Sequence, residues 1–103
     1  MAKLKLQPDP TFKAAVLIPA AGMSDVSLEF TFKHRTRDQL RKFVEESAER
    51  EDADTILDMA TAWELADAFN KENVSLLVQN YTAAARSVFD RYLDELARAR
   101  VKN

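Results

Sequence analysis

Between residues 63 and 103 the chain sets Trp63, Leu65, Phe69, Val74, Leu76, Leu77, Val78, Tyr81, Val88, Phe89, Tyr92 and Leu96 in close succession. Apolar surface left in water costs roughly 25 cal/mol per Å², so this stretch constrains the fold: something must lie over it. A cover is legible upstream. In VSLEFTFK, at 26–33, Val26, Leu28, Phe30 and Phe32 alternate with Ser27, Glu29, Thr31 and Lys33, the period of a strand buried on one face. Apolar helices that need a cover and a strand that offers one predict a single domain over 1–103.

The 103 residues, 47% hydrophobic and 31% charged, have the size and composition of a chain that folds around one core. One Gly and three Pro leave little room for long linkers. No apolar run approaches the ~18 residues that span a bilayer, and MAKLKLQPDP lacks the continuous apolar segment of a signal peptide, which together predict a cytosolic protein. The absence of Cys excludes disulfides, thiolate nucleophiles and Cys-ligated metals.

A net charge of −2 conceals an uneven distribution. Residues 1–44 carry a surplus of cations, 45–73 hold Glu45, Glu46, Glu49, Glu51, Asp52, Asp54, Asp58, Glu64, Asp67 and Glu72 against Arg50 and Lys71, and the remainder is mildly basic. Such a sequence suits charge complementarity between copies or partners better than a uniform nucleic-acid surface.

Along the chain, 1–11 with Pro8 and Pro10 reads as an extended lead-in. KAAVLI at 13–18 reads as a strand stopped by Pro19, and Gly22 supplies a turn that needs positive φ, which predicts a small antiparallel β element over 13–33. Thr36 and Gln39 have capping-box spacing at the start of a helix running to about residue 50, with Leu40, Phe43, Val44 and Ala48 as its apolar stripe. Its acidic last turn opposes the helix dipole and calls for a cationic neighbour. A second helix, capped by Asp52 or Asp54, is expected over 52–69, where Ile56, Met59, Ala60 and Trp63 form one stripe and Leu57, Leu65, Ala66 and Phe69 another. That arc is wider than one core neighbour covers, which predicts self-association around Trp63. Asn73 is expected to cap a short helix, VSLLVQ, and a turn at 80–82 leads to a last helix reaching about residue 101. There Ala85, Val88, Phe89, Tyr92, Leu96 and Ala99 share one face, and Arg86, Asp90, Arg91, Asp94, Glu95 and Arg98 the other. Asp94 and Arg98 are spaced to pair, and Arg98, Arg100 and Lys102 complement the dipole. The fold class is therefore α+β, predominantly helical: about four helices over 36–101 with the β element before them.

Chemistry is largely missing from this pattern. His34 is the sole histidine and lies between Lys33 and Arg35, so no nucleophile has a placed base. One glycine builds neither a Walker loop nor a dinucleotide fingerprint. The acidic cluster lacks the glycine and the final Glu of a calcium loop, and no Glu-x-x-His pair is present. No catalytic residue, cofactor or metal site is assigned, and the chain reads as a non-enzyme. The basic run Lys33, His34, Arg35, Arg37, Arg41 and Lys42 offers an alternative reading as a small DNA-binding regulator, which the acidic segment after it disfavours. Trp63, Tyr81, Phe89 and Tyr92 combine large apolar area with, in three cases, a polar tip, and serve equally as core or as interface anchors. The candidate partner or oligomer surface comprises Trp63, Leu65, Phe69, Leu76, Leu77 and Tyr81.

The order of these landmarks resembles the tail assembly chaperones of long-tailed bacteriophages and prophages. The resemblance rests on the strand ending at Pro19 with Gly22 after it, on FTFKHRTRDQL at 30–40, and on WELADAFNKENVSLLVQNY at 63–81 followed by FDRYLDELARARVKN. It spans about residues 12–103. Members often carry Pro after the tyrosine of the turn, where this chain has Thr82, a residue able to cap the helix that follows. The resemblance implies a protein of the host bacterial cytoplasm, absent from the mature virion. It implies binding to the tape measure protein, which is kept soluble until tail tube subunits polymerise around it. Ring or spiral homo-oligomers are implied too, and in some members a longer product of ribosomal slippage.

Overall fold

The computed structural model describes residues 3–97. The expected Asp94/Arg98 pair and the basic helix end fall partly or wholly on 98–103 and lie outside the described residues.

Strand β1 (Thr11–Ile18) and strand β2 (Val26–Lys33) pair antiparallel in unbroken register, from Thr11 opposite Lys33 to Ile18 opposite Val26. Pro19 follows the first strand, and the turn closes where the Met23 N–H donates to the Ala20 carbonyl at 3.2 Å. Gly22 takes the left-handed position, with φ of 77°. Alternation then sorts the side chains. Ala14, Val16 and Ile18 join Leu28, Phe30 and Phe32 on a buried face, and Lys13, Ala15 and Leu17 face outward with Ser27 and Glu29.

Helix α1 (Arg37–Ser47) begins with the expected box. The Gln39 N–H donates to Thr36 Oγ1 at 3.3 Å, and the Thr36 N–H donates to Gln39 Oε1 at 2.9 Å. Leu40 and Phe43 are buried, whereas Val44 and Ala48 of the same predicted stripe are exposed. Helix α2 (Asp52–Met59) starts at Glu51 without a side-chain cap, so neither Asp52 nor Asp54 has the capping role expected of it.

The largest departure follows. The helix expected over 52–69 stops at Met59, and Ala60–Trp63 forms strand β3, antiparallel to β2, with Phe30 opposite Trp63 and Phe32 opposite Ala60 across a register shift. Local propensity favours helix in this Ala- and Leu-rich stretch, but as a strand the segment pairs with β2, buries Ala60 and sets Trp63 against the core cluster, long-range contacts that override a weak local preference. The pairing continues past the strand: the Glu64 N–H donates to the Glu29 carbonyl at 3.0 Å, and Glu64 Oε1 accepts from the Glu29 N–H at 2.8 Å. The wide apolar arc therefore divides between a short helix, a strand and the segment beyond it, which removes the geometric ground for association through a single helix face.

Helix α3 (Lys71–Asn80) is longer than expected and is capped by Asn70, whose Oδ1 accepts from the Asn73 N–H at 2.9 Å. Asn73, the expected cap, lies inside the helix and donates from Nδ2 to the Ala68 carbonyl at 2.8 Å. Helix α4 (Ala84–Leu96) starts at Ala83 with no side-chain cap, so Thr82 does not perform that task. Ala84, Val88, Tyr92 and Leu93 are its buried residues, and Ala85, Phe89 and Leu96 lie half-buried at the margin. All four helices contribute to the cluster on the inner face of the three-stranded sheet, ordered β1-β2-β3. Helix α4 packs on β1, and α2 on β3, α3 and α4. Aromatic rings hold the centre, where Phe12, Phe32 and Phe43 surround Tyr92 at centroid distances of 6.2, 5.3 and 5.6 Å.

Candidate partner-binding surface

The six apolar candidates divide by element. Trp63 ends β3 half-buried, its ring edge-on to Phe30 at 6.1 Å and to Phe69 at 5.2 Å, while its Nε1–H donates to the Asp67 carbonyl at 2.7 Å. Phe69 and Leu77 also pack against the core cluster. Leu65, Leu76 and Tyr81 point outward, being 42%, 54% and 41% exposed. Trp63 and Phe69 are thus brought together as a pair that fastens 64–70 to the sheet, and Leu65, Leu76 and Tyr81 carry most of the free apolar area of the set. Further exposed apolar side chains lie at Leu17, Met23 and Val26 on the hairpin.

The basic run does not stay together. Arg35 turns inward: Nη1 donates to the Asp58 carbonyl at 3.0 Å and to the Tyr92 hydroxyl at 2.9 Å, and Nη2 pairs with Asp58 Oδ1 at 3.0 Å. Its guanidinium lies 4.3 Å from the Phe43 ring centroid, a cation–π contact. The Tyr92 O–H in turn donates to the Lys33 carbonyl at 2.7 Å, so one buried ring ties β2, α2 and α4. Arg50 grips the other oxygen of Asp58 at 2.6 Å and reaches Glu46 at 3.4 Å, supplying the cation that the acidic end of α1 requires. Burial works to raise the Asp58 pKa, but the Arg50 hydrogen bond and the charges of Arg35 and Arg50 outweigh it, and the carboxyl is held below its ordinary value. Burial raises the Tyr92 phenol against the opposing pull of Arg35. The sequence groups Arg35 with the basic run at 33–42 and Asp58 with the acidic segment, and assigns neither a structural role. No local pattern marks this tie, because Asp58 and Tyr92 stand 23 and 57 residues from Arg35 along the chain.

Arg35, Arg50 and Asp58 of this network line one open cleft, and a second lies between α2 and α4. One of about 460 Å³ is lined by Lys33, His34, Gln39, Lys42, Arg50 and Asp58 among others. The other, about 380 Å³, is lined by Ile56, Met59, Ala85 and Phe89 and by polar side chains that include Asp52, Thr55 and Arg86. Among the described residues no group of three or more His, Cys, Asp or Glu side chains could hold a metal ion, and no helix is long and apolar enough to cross a membrane.

What the geometry defines is a small α+β protein that leaves Leu65, Leu76 and Tyr81 exposed outside its core. The family model for the phage tail assembly chaperone matches residues 1–103, and the chain belongs to that family. No curated protein and no solved structure matches it. Membership implies interaction with phage tail proteins during assembly.

Proposed function

We propose that the protein binds the tape measure protein in the host cytoplasm, keeps it soluble during tail assembly, and leaves before the tail is complete, acting as a homo-oligomer and without catalysis. The observation that carries this reading is family membership over the whole chain. Long helical clients present apolar stripes, and the exposed Leu65, Leu76 and Tyr81, together with the half-buried Phe89 in the cleft between α2 and α4, supply side chains of the matching kind. Many weak contacts across an oligomer hold such a client by avidity. Trp63, Phe69 and Leu77 of the same candidate set are half-buried against the core. Tail tube protein is the second partner this role brings near.

Co-expression with a tape measure fragment tests the proposal. The wild-type chain should raise the soluble fraction and retain the fragment on pull-down, and Leu65→Asp with Leu76→Asp should cut retention at least 10-fold in a protein that still melts cooperatively. Unchanged capture by that double variant, or no capture by wild type, would reject the assignment. Duplex DNA is the control ligand: salt-sensitive binding lost in Lys33→Ala/Lys42→Ala would favour the regulator reading instead.

A further inference from the structure

Backbone groups on neighbouring residues of a strand point to opposite sides. On β2, Glu29 serves β3, through its bonds with Glu64. Even-numbered residues of β2 therefore serve β1, in agreement with the bond from the His34 N–H to the Pro10 carbonyl at 2.9 Å. The register places Phe12, Ala14, Val16 and Ile18 opposite those even residues. The N–H and C=O groups of Thr11, Lys13, Ala15 and Leu17 consequently point away from β2, along a free edge.

The two edges of the sheet are guarded differently. β3 is four residues long, carries a register shift, and is followed at once by the segment fastened by Trp63 and Phe69. β1 runs eight residues in unbroken register, with no proline inside and Lys13 as its only charge. Those are the features that leave an edge open to another strand. A second loose end lies just before it. Residues 3–10 are exposed throughout, Leu4 is 87% and Leu6 97% exposed, and the ion pair there, Lys5 with Asp9 at 3.2 Å, is internal to the segment. Lys3, Leu4, Lys5 and Leu6 alternate like a half-buried strand that has nothing to be buried against.

We propose that residues 3–7 of one copy add as a strand to the β1 edge of another copy. Laying two whole sheets edge to edge, with strands about 4.8 Å apart, would bring toward one another two copies of α4, each packed on its own β1 and about 10 Å in diameter. A bare segment has no helix to collide. The antiparallel register with Lys5 opposite Ala15 sets Lys3 by Leu17 and Gln7 by Lys13, which keeps both arm lysines from directly facing Lys13. It lays Leu6 beside Ala14 and Leu4 beside Val16, on the face that α4 covers. Pro8 then falls at an even position, so its missing N–H lies on the far side of the added strand. The same chain cannot do this to itself, because a turn from Gln7 to Lys13 would consume Thr11 and Phe12, both committed to β2. The proposal deepens the self-association in the reading above and is independent of the client's identity.

Sedimentation velocity over a concentration series, paired with amide hydrogen exchange on the full chain, tests it. Wild type should associate with rising concentration while the Lys13, Ala15 and Leu17 amides gain protection. Full-length Leu4→Asp/Leu6→Asp should weaken association at least 10-fold with an unchanged circular dichroism spectrum, and a synthetic peptide of residues 3–10 should then bind that variant and restore protection at the same amides. Ala15→Pro removes an outward N–H and should abolish peptide binding; Ala15→Lys, which faces Lys5 of the arm, checks the same contact if the proline variant does not fold. Monomeric wild type, association undiminished in Leu4→Asp/Leu6→Asp, or edge protection that appears only with a tape measure fragment would each overturn the proposal. Capture of that fragment by the leucine variant separates its failure from failure of the client reading.

Discussion

Gly22 sits at φ of 77° with open space around the point where a Cβ would stand. Gly22→Ala should therefore cost about 1–2 kcal/mol from backbone strain alone, with no clash to relieve, as chemical denaturation would measure. Asp58 offers a test of the opposite kind. Its carboxyl is held below its ordinary value in the folded chain, so the stability it contributes is present above the unfolded-state pKa, near about 3.9, and is lost as pH falls through the lower folded value. Asp58→Asn should thus be less stable than wild type at neutral pH, by a margin that is level above about pH 5 and shrinks below about pH 4 in urea melts. A margin independent of pH would mean that its ion pairs with Arg35 and Arg50 contribute nothing. Neither role can be read with equal ease from sequence: Gly22 is the only glycine between two strand patterns, whereas Asp58 is one acid among ten between residues 45 and 73.

At the level of elements, start signals decide little when two candidates stand close together. Thr36 was singled out by its partner Gln39, and both bonds of the box are present; Thr36→Ala should cost roughly 0.5–2 kcal/mol. Asn70 and Asn73 differ by three residues and each precedes apolar positions, so the sequence pattern alone does not choose between them. Asn70→Ala should likewise cost roughly 0.5–2 kcal/mol by removing the α3 cap, measured by thermal or urea melts; loss of the Asn73 side chain instead removes its bond to the Ala68 carbonyl. The strand at Ala60–Trp63 is a harder case, since its helical periodicity is real and continues that of α2. What competes with it is the edge of β2, thirty residues earlier in sequence.

For the whole molecule, the position of α4 sets which aromatic residue matters most to the fold. The sequence stripe gives Phe89 and Tyr92 equal weight, but Tyr92 is wholly buried at the centre of three rings and one arginine, and Phe89 is half-buried beside the cleft between α2 and α4. Tyr92→Ala should cost about 3–5 kcal/mol, a large share of a small protein's stability, and Phe89→Ala distinctly less, as paired thermal melts would establish. The same placement bears on function. Loss of Phe89 should weaken client retention more than its modest effect on folding accounts for, if the cleft takes part in binding.

Local pattern by itself determined β2 from its alternation, most of β1 from an apolar run stopped by Pro19, the α1 cap from the Thr36/Gln39 spacing and the amphipathic last helix from its stripe, because each depends on contacts within a few residues or on an alternation that one buried face imposes. Family landmarks spaced along the chain were legible for the same reason. Tertiary structure alone decided that residues 60–63 are strand, that Arg35 leaves the basic surface to hold Asp58 and Tyr92, and that Trp63 and Phe69 fasten a segment while Leu65, Leu76 and Tyr81 stay outside. Those outcomes turn on backbone groups and charges that meet across tens of residues, and a one-dimensional pattern carries no record of which of them come within reach.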